Sequence, residues 1–170
     1  MKNEKELIKM NVKKLLTEQN KLDKMILKNA GIASFHDVRE KIGFALLVEL
    51  GELANEVQTF KYWKKNQNID RKKILEEYSD GIHFLNTYVF NFEAGEEFNP
   101  IIFSKDINKQ FLEVYKNILI MIEKPDKEII KLTYELYLGL ASLLGISDRE
   151  IETEYFKKNL VNQNRVKQNY

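Results

Sequence analysis

Residues 44–63 read Phe-Ala-Leu-Leu-Val-Glu-Leu-Gly-Glu-Leu-Ala-Asn-Glu-Val-Gln-Thr-Phe-Lys-Tyr-Trp, and one polar loop later residues 76–84 read Glu-Glu-Tyr-Ser-Asp-Gly-Ile-His-Phe. Apolar residues recur three and four apart in both stretches, which is the helical period. The same spacing carries two carboxylates on each predicted helix, Glu49 with Glu52 and Glu77 with Asp80. Residues three apart project from one helix face, so each pair offers two convergent acids. If the two helices are antiparallel neighbours across the Lys64–Asn68 loop, four carboxylates form a cage. Like charges that close stay ionised only with cations or protons between them. Hard oxygen ligands select Mg²⁺, with Mn²⁺ as a substitute, and Mg²⁺ is usually held by a few carboxylates together with substrate phosphates. The cage therefore points to phosphate chemistry.

The surroundings favour a partly buried position. Ala45, Leu46, Leu47, Leu50 and Leu53 crowd the first pair, and Ile82, Phe84 and Leu85 follow the second. A single E-x-x-E pair is common on solvated helix faces, because Glu is a good helix former. Two pairs on successive apolar helices are harder to place in solvent. Gly51 and Gly81 each cost about 1 kcal/mol in a helix interior, which close helix approach near the cage would explain. Glu56 shares the face of Glu52 and is read as a solvated or salt-bridging residue, and Glu76, set about 100° from Glu77, as a bystander.

Working outward, the chain reads as one compact all-α domain of about six helices over its 170 residues, with only seven glycines and two prolines to make turns. A first helix is predicted from about Glu4 to Lys28 on the stripe Ile8, Val12, Leu15, Leu22 and Ile26, closed by Ala30-Gly31. Ser34 and Asp37 form a capping signal, and the segment from Val38 to Trp63 follows, with Phe44, Leu47, Val48 and Leu50 expected to be buried. Asp70 caps a third helix ending near Asn91. Ser104 opens a fourth through Glu123, Pro125-Asp126 a fifth that stops near Gly145, and Ser147 with Glu150 is a capping box opening the last. Residues 157–170 read as a polar, basic tail.

Composition narrows the function classes. The 44% apolar content excludes intrinsic disorder, and the absence of cysteine excludes a disulfide scaffold. Lys+Arg 27 against Asp+Glu 26 produces no global field that calls for nucleic acid or an anionic membrane. No apolar run approaches the roughly 20 residues that span a bilayer. The start Met1-Lys-Asn-Glu-Lys-Glu6 has no apolar signal core, so a cytoplasmic location is expected.

The residues quoted at the outset resemble the dimeric, all-α dUTPases within the MazG-like nucleotide pyrophosphohydrolases. The E-x-x-E and E-x-x-D pairs belong to the whole superfamily, whereas Phe60-Lys-Tyr-Trp63 and Asp80-Gly-Ile-His-Phe84 are closer to the dUTPase branch. Gln19 within Leu15-Leu-Thr-Glu-Gln-Asn-Lys-Leu22 agrees, as does the tail with Lys158, Asn159, Asn162, Arg165 and a closing Tyr170. The chain departs from that pattern in lacking the insertions of longer members and in having no glycine before Tyr170. The resemblance implies hydrolysis of dUTP to dUMP and pyrophosphate, use of dUDP as well, a homodimer, and Mg²⁺ held by Glu49, Glu52, Glu77 and Asp80. Glu49 is preferred over Glu52 as the general base.

The same resemblance nominates substrate contacts. Lys61 would address phosphate and Trp63 base or sugar, against a core or interface role for the indole. His83 lies one turn beyond Asp80 and would approach the nucleoside or pack in the core, while Asn86 is offset from that face. Gln19 is polar within an apolar stripe, and a uracil edge would satisfy its buried amide. Lys158, Asn159, Asn162 and Arg165 suit phosphate oxygens and sugar hydroxyls, on a segment that orders on binding or reaches a second subunit. Three alternatives remain. A related pyrophosphohydrolase acting on another nucleotide, such as dCTP, needs the same cage. A di-iron bundle needs Glu-x-x-His on two helices, and the two histidines follow Asp80 and Ala33 instead. A helical interaction module needs no metal.

Overall fold

The computed structural model describes residues 10–168, and they form six helices and one minimal antiparallel ladder. The strands are β1 (Met10–Asn11) and β2 (Glu97–Phe98). The helices are α1 (Lys13–Ala30), α2 (Arg39–Val57), α3 (Arg71–Phe92), α4 (Ile107–Glu123), α5 (Lys127–Leu144) and α6 (Asp148–Lys167), with a 3₁₀ turn at Phe35–Asp37 before α2. The all-α fold expected from the pattern is the fold observed.

Local chemistry explains most boundaries. The Asp70, Asp106 and Asp126 carboxylates accept from backbone N–H groups in the first turns of α3, α4 and α5. Ser147 and Glu150 exchange the two bonds of a capping box at the start of α6. Asp37 accepts from the Ser34 amide and hydroxyl. Gly31 and Gly145 end α1 and α5 in the left-handed region, at φ 66° and 63°.

Four boundaries differ from the sequence reading. α4 is opened by Asp106 rather than Ser104, whose hydroxyl accepts from the Asp106 amide just before the helix. The first helix begins at Lys13, because Met10–Asn11 pairs with Glu97–Phe98, Met10 opposite Phe98, and the Val12 amide donates to the Glu96 carbonyl at 2.8 Å. Its predicted start, with Ile8, lies outside the described residues. α2 stops at Val57, since Gln58 takes φ 63° and its amide caps the Ala54 carbonyl; Lys61 and Trp63 therefore stand on a loop. The polar tail is helical to Lys167, anchored on Ile151, Tyr155 and Asn159, each four residues apart and buried. Asn169 and Tyr170 lie outside the described residues.

α3 is the central element and packs against α1, α2, α5 and α6, while α4 packs against α2 and α5. α2 buries Gly43, Leu46, Leu50, Leu53 and Val57 and leaves Phe44 (66%) and Val48 (44%) exposed, contrary to their expected burial. The two stripes lie on opposite sides of the helix, and only one can face the core. α5 is buried nearly all round from Thr133 to Ala141. Among the described residues no single helix is long and apolar enough to cross a membrane.

Two buried devices lock α5 in place. Tyr78 Oη donates to the Tyr137 carbonyl at 3.1 Å and Tyr137 Oη to the Tyr78 carbonyl at 3.0 Å, a reciprocal clasp between α3 and α5. A Cβ at Gly81 would strike the Tyr137 hydroxyl, so Gly81 keeps the two helices close. Gln110 is wholly buried and makes four bonds: it accepts from the Phe103 and Ser104 amides and donates to the Ile101 and Leu136 carbonyls. That side chain ties the β2–α4 connection to α5.

Candidate active site

The clasp at Tyr78 fixes the register of the turn that carries Glu77 and Asp80. Leu46, Leu50 and Leu53 sink α2 into the same core and aim Glu49 and Glu52 toward that turn. Glu49, Glu52 and Glu77 each present a carboxylate oxygen, and the three oxygens lie within 4.8 Å of one another. Glu56, one turn beyond Glu52, is not part of this group. Asp80 is held differently. Its Oδ2 is 2.7 Å from Lys158 Nζ on α6, an ion pair whose side chains are 14% and 15% exposed. Lys158 also reaches Glu76 at 3.2 Å, so Glu76 is no bystander: it lies one turn before Asp80 and shares its cation.

The electrostatics match a site built for positive charge. Burial, then repulsion from Asp80, Glu52 and Glu77, pushes the Glu49 carboxyl up to about 7. Burial, then Glu52 and Asp80, does the same to Glu77. Asp80 is raised by burial against the opposing pull of Lys158. Lys158 itself is raised, because its bonds to Asp80 and Glu76 outweigh the burial that lowers it. Three converging hard oxygens with protons held this tightly suit a divalent cation, which replaces the protons and relieves the repulsion.

A stability prediction follows from the signs. A carboxyl raised in the folded chain keeps a proton that the unfolded chain releases, so folding is penalised as pH rises from about 4.5 through 7. His83, lowered to about 3 chiefly by burial, acts in the opposite direction below its ordinary value, and comparing a variant with its parent cancels it. In chelator, Glu77→Gln should match its parent's thermal midpoint at pH 4.5 and exceed it at pH 8. Equal midpoints at both values would show that these carboxylates are not strained together.

Beside the carboxylates opens a cavity of about 620 Å³, within the usual size of a small-ligand site. Along α3 its lining runs from Asp80 through His83, Phe84 and Thr87 to Asn91, a stripe about 16 Å long at helical rise. Gln19 and Asp23 of α1 form one wall with apolar neighbours such as Leu22 and Ile26, and Phe35 and Ile42 come from the 3₁₀ turn and α2. Glu49, Lys158, Asn162 and Arg165 stand at the carboxylate end. The cavity thus joins an acidic and basic mouth to a largely apolar slot with a few fixed polar groups.

Most sequence candidates meet here. Glu49, Asp80, Gln19, His83, Lys158, Asn162 and Arg165 all line the cavity, with Glu52 and Glu77 adjoining through the carboxylate cluster. Lys158, Asn162 and Arg165 share one face of α6 at spacings of four and three, and Arg165 acts electrostatically on Asp80. Asn159 is a quarter-turn away, buried at 3% beside Tyr155, and accepts from Gln163 at 2.6 Å. Asn86 is buried and accepts from Tyr134 at 2.9 Å. Lys61 donates to the Asn55 carbonyl at 3.0 Å, and Trp63 is 61% exposed against Phe60 and Tyr62. Neither lines the cavity.

Among the polar residues at the site, Asp23 and Thr87 are absent from the sequence reading and Glu76 is read there as a bystander. Each had a signal in its spacing, Asp23 four after Gln19, Glu76 four before Asp80 and Thr87 four after His83.

A family model described as dUTPase matches residues 11–170. No curated protein matches significantly, and neither does any solved structure.

Proposed function

This chain belongs to the dUTPase family, and on that premise we propose that it hydrolyses dUTP to dUMP and pyrophosphate with Mg²⁺ at Glu49, Glu52, Glu77 and Asp80. The observation that carries the reading is the triad of carboxylate oxygens within 4.8 Å at the mouth of a nucleotide-sized cavity. Bound there, Mg²⁺ supplies charge neutralisation along the triphosphate and acidifies the attacking water. Glu49, the member of the triad that also lines the cavity, would accept that water's proton. The water attacks the α-phosphorus in line with the departing pyrophosphate.

Lys158, Asn162 and Arg165 line the cavity and would take phosphate oxygens at its carboxylate end. With Mg²⁺ bound, Asp80 would be the fourth carboxylate available to hold it, and Lys158, now paired with Asp80 at 2.7 Å, would be the cation nearest the phosphates. Gln19 and His83 receive the base in the apolar slot. Trp63, Lys61 and Asn159 are the candidates that this single-chain cavity does not use.

A homodimer fits the exposed apolar surface. A Cβ at Gly43 would strike Ile122, and one at Gly51 would lie 3.2 Å from the Tyr115 hydroxyl, so α4 runs antiparallel along α2. That pairing sets Leu119 (56% exposed) level with the exposed stripe Phe44–Val48. An aggregate of large apolar side chains on two adjacent helices is the usual mark of an interface. Light scattering should give twice the chain mass, and Phe44→Asp with Leu119→Asp should give a monomer of unchanged helicity. A monomeric parent protein contradicts this assembly.

The functional test is pyrophosphate release from dUTP, dCTP, dTTP and UTP, with dUDP followed by phosphate release. Mg²⁺-dependent turnover strongest for dUTP, with dUDP also cleaved, is the expected result. Preference for another nucleotide would keep the carboxylate site and discard the uracil reading; turnover of none would discard both.

A further inference from the structure

Lys158 reaches the carboxylate cluster from α6, where Tyr155 and Asn159 on either side of it in sequence are buried and hold the helix against its neighbours. An ammonium carries three donors and no acceptor, so a mostly buried one has to be met by oxygens. Two carboxylates one turn apart on α3 meet it, Asp80 Oδ2 at 2.7 Å and Glu76 Oε1 at 3.2 Å. The three side chains differ in their access to water. Lys158 and Asp80 are 15% and 14% exposed, whereas Glu76 is 46% exposed. Water is open to Glu76, yet it is turned to the ammonium. It stands outside the triad of Glu49, Glu52 and Glu77 and does not line the cavity, so neither of those features explains the contact.

The arrangement sets two cations in competition. On the reading that Asp80 serves the metal, a divalent cation meets at that carboxylate an ammonium already bonded to it, and two cations at one carboxylate repel each other. The metal is favoured only if the ammonium keeps a counter-ion of its own. An unpaired ammonium at this depth is costly, and water reaches too little of Lys158 to stand in for a carboxylate.

We propose that Lys158 competes with a divalent cation for Asp80, and that Glu76 is a positioning residue that relieves the competition by remaining the counter-ion of Lys158 when the metal is bound. This rests on the metal reading of the carboxylates and extends it to a residue outside the ligand set. Glu76 touches neither metal nor substrate and acts through Lys158. Its charge also has a plainer effect, because any carboxylate beside Glu77 draws a cation to the cluster by attraction alone. A double-mutant cycle separates the two, since only the first requires the ammonium.

The test is Mg²⁺ binding by calorimetry, without nucleotide, at pH 8, above the values of about 7 to which Glu49 and Glu77 are raised. Glu76→Gln should weaken binding at least about tenfold where Lys158 is present and at most about threefold in a Lys158→Met background. Lys158→Met alone should tighten binding, because the competing charge is gone while an apolar stem still packs. Equal weakening by Glu76→Gln in both backgrounds, or none in either, overturns the proposal, and so does weaker binding in Lys158→Met. A second measurement needs no methionine variant. In ¹H–¹⁵N spectra of the lysine ammonium groups, the Lys158 signal, identified by its loss in Lys158→Arg, should persist when the unsubstituted protein is saturated with Mg²⁺ and broaden away in Mg²⁺-saturated Glu76→Gln. Loss of that signal in the Mg²⁺-loaded parent overturns the proposal by itself. Failure of the parent to bind Mg²⁺ removes the metal reading and this inference with it, whereas Mg²⁺ binding with an additive cycle removes this inference alone.

Discussion

Glu49→Gln is expected to lower dUTP turnover by about a thousandfold or more with the helical circular dichroism spectrum unchanged. The glutamine keeps the shape and removes both the metal-binding charge and the basic oxygen. Asp80→Asn should fall as far for a different reason. Asp80 is the residue at which the acidic and basic halves of the site meet, through its 2.7 Å bond to Lys158. Losing that carboxylate would remove a proposed metal ligand and leave a buried ammonium with Glu76 as its remaining ion-pair partner. Calorimetric titration with Mg²⁺ should show weaker binding in both variants. Glu52 is exposed, yet its oxygen belongs to the same triad, so Glu52→Gln should follow the same pattern. Glu56→Gln should not. Turnover within a few-fold of the parent in Glu49→Gln and Asp80→Asn would dismantle the carboxylate assignment.

The largest stability effect is expected far from the chemistry, at Gln110→Leu. Leucine is of similar size and leaves no large void, but four backbone partners lose their bonds together. Unsatisfied buried backbone groups cost about 1–3 kcal/mol each, and solvent near Phe103 and Ser104 recovers part of that, so a net loss of about 3 kcal/mol is expected. For a chain of this length that corresponds to a fall of about 6–12 °C in Tm. Gly139 has no room to compensate, because any Cβ there meets the Ile101 carbonyl and Gln110 Nε2. Below the transition the enzyme should keep its turnover, since Gln110 touches neither the carboxylates nor the cavity lining. A Tm change under about 3 °C would mean that the β2–α4 connection holds itself.

Periodicity was enough for α3 and α5, whose apolar stripes are long and whose Asp caps and terminal Gly145 are unambiguous. It failed where tertiary contacts decide. No propensity forecasts a two-residue strand at Met10–Asn11, which exists because Glu97–Phe98 arrives from 86 residues away in sequence to pair with it. The end of α2 was overrun because its terminator is Gln58 in a left-handed conformation rather than a glycine. α6 was undervalued for the opposite reason: its exposed faces are so polar that Ile151, Tyr155 and Asn159 stand out only once their common spacing is noticed. Phe44 and Val48 look like core residues in any count of hydrophobicity, and which of two stripes on α2 faces inward depends on partners that sequence alone does not name.

The carboxylate cluster was legible because it sets charge where folding alone would place apolar residues. Such contradictions survive in the sequence. Asp23, absent from the sequence reading, and Glu76, read there as a bystander, each bond another side chain, Gln19 in one case and Lys158 in the other. A polar residue satisfied by a partner on the same or a neighbouring helix breaks no local rule. The resemblance supplied Lys158, Asn162 and Arg165, and their shared face on α6 supplies the physical reason that they act together while Asn159 turns inward.

The most direct measurement is dUTP hydrolysis in ¹⁸O-labelled water, with Mg²⁺ and in excess chelator, followed by mass spectrometry of the products. The account predicts turnover only with the metal, with one ¹⁸O in dUMP and none in pyrophosphate, because water held near Glu49 attacks the α-phosphorus. Label in the pyrophosphate, or undiminished turnover in chelator, would contradict it.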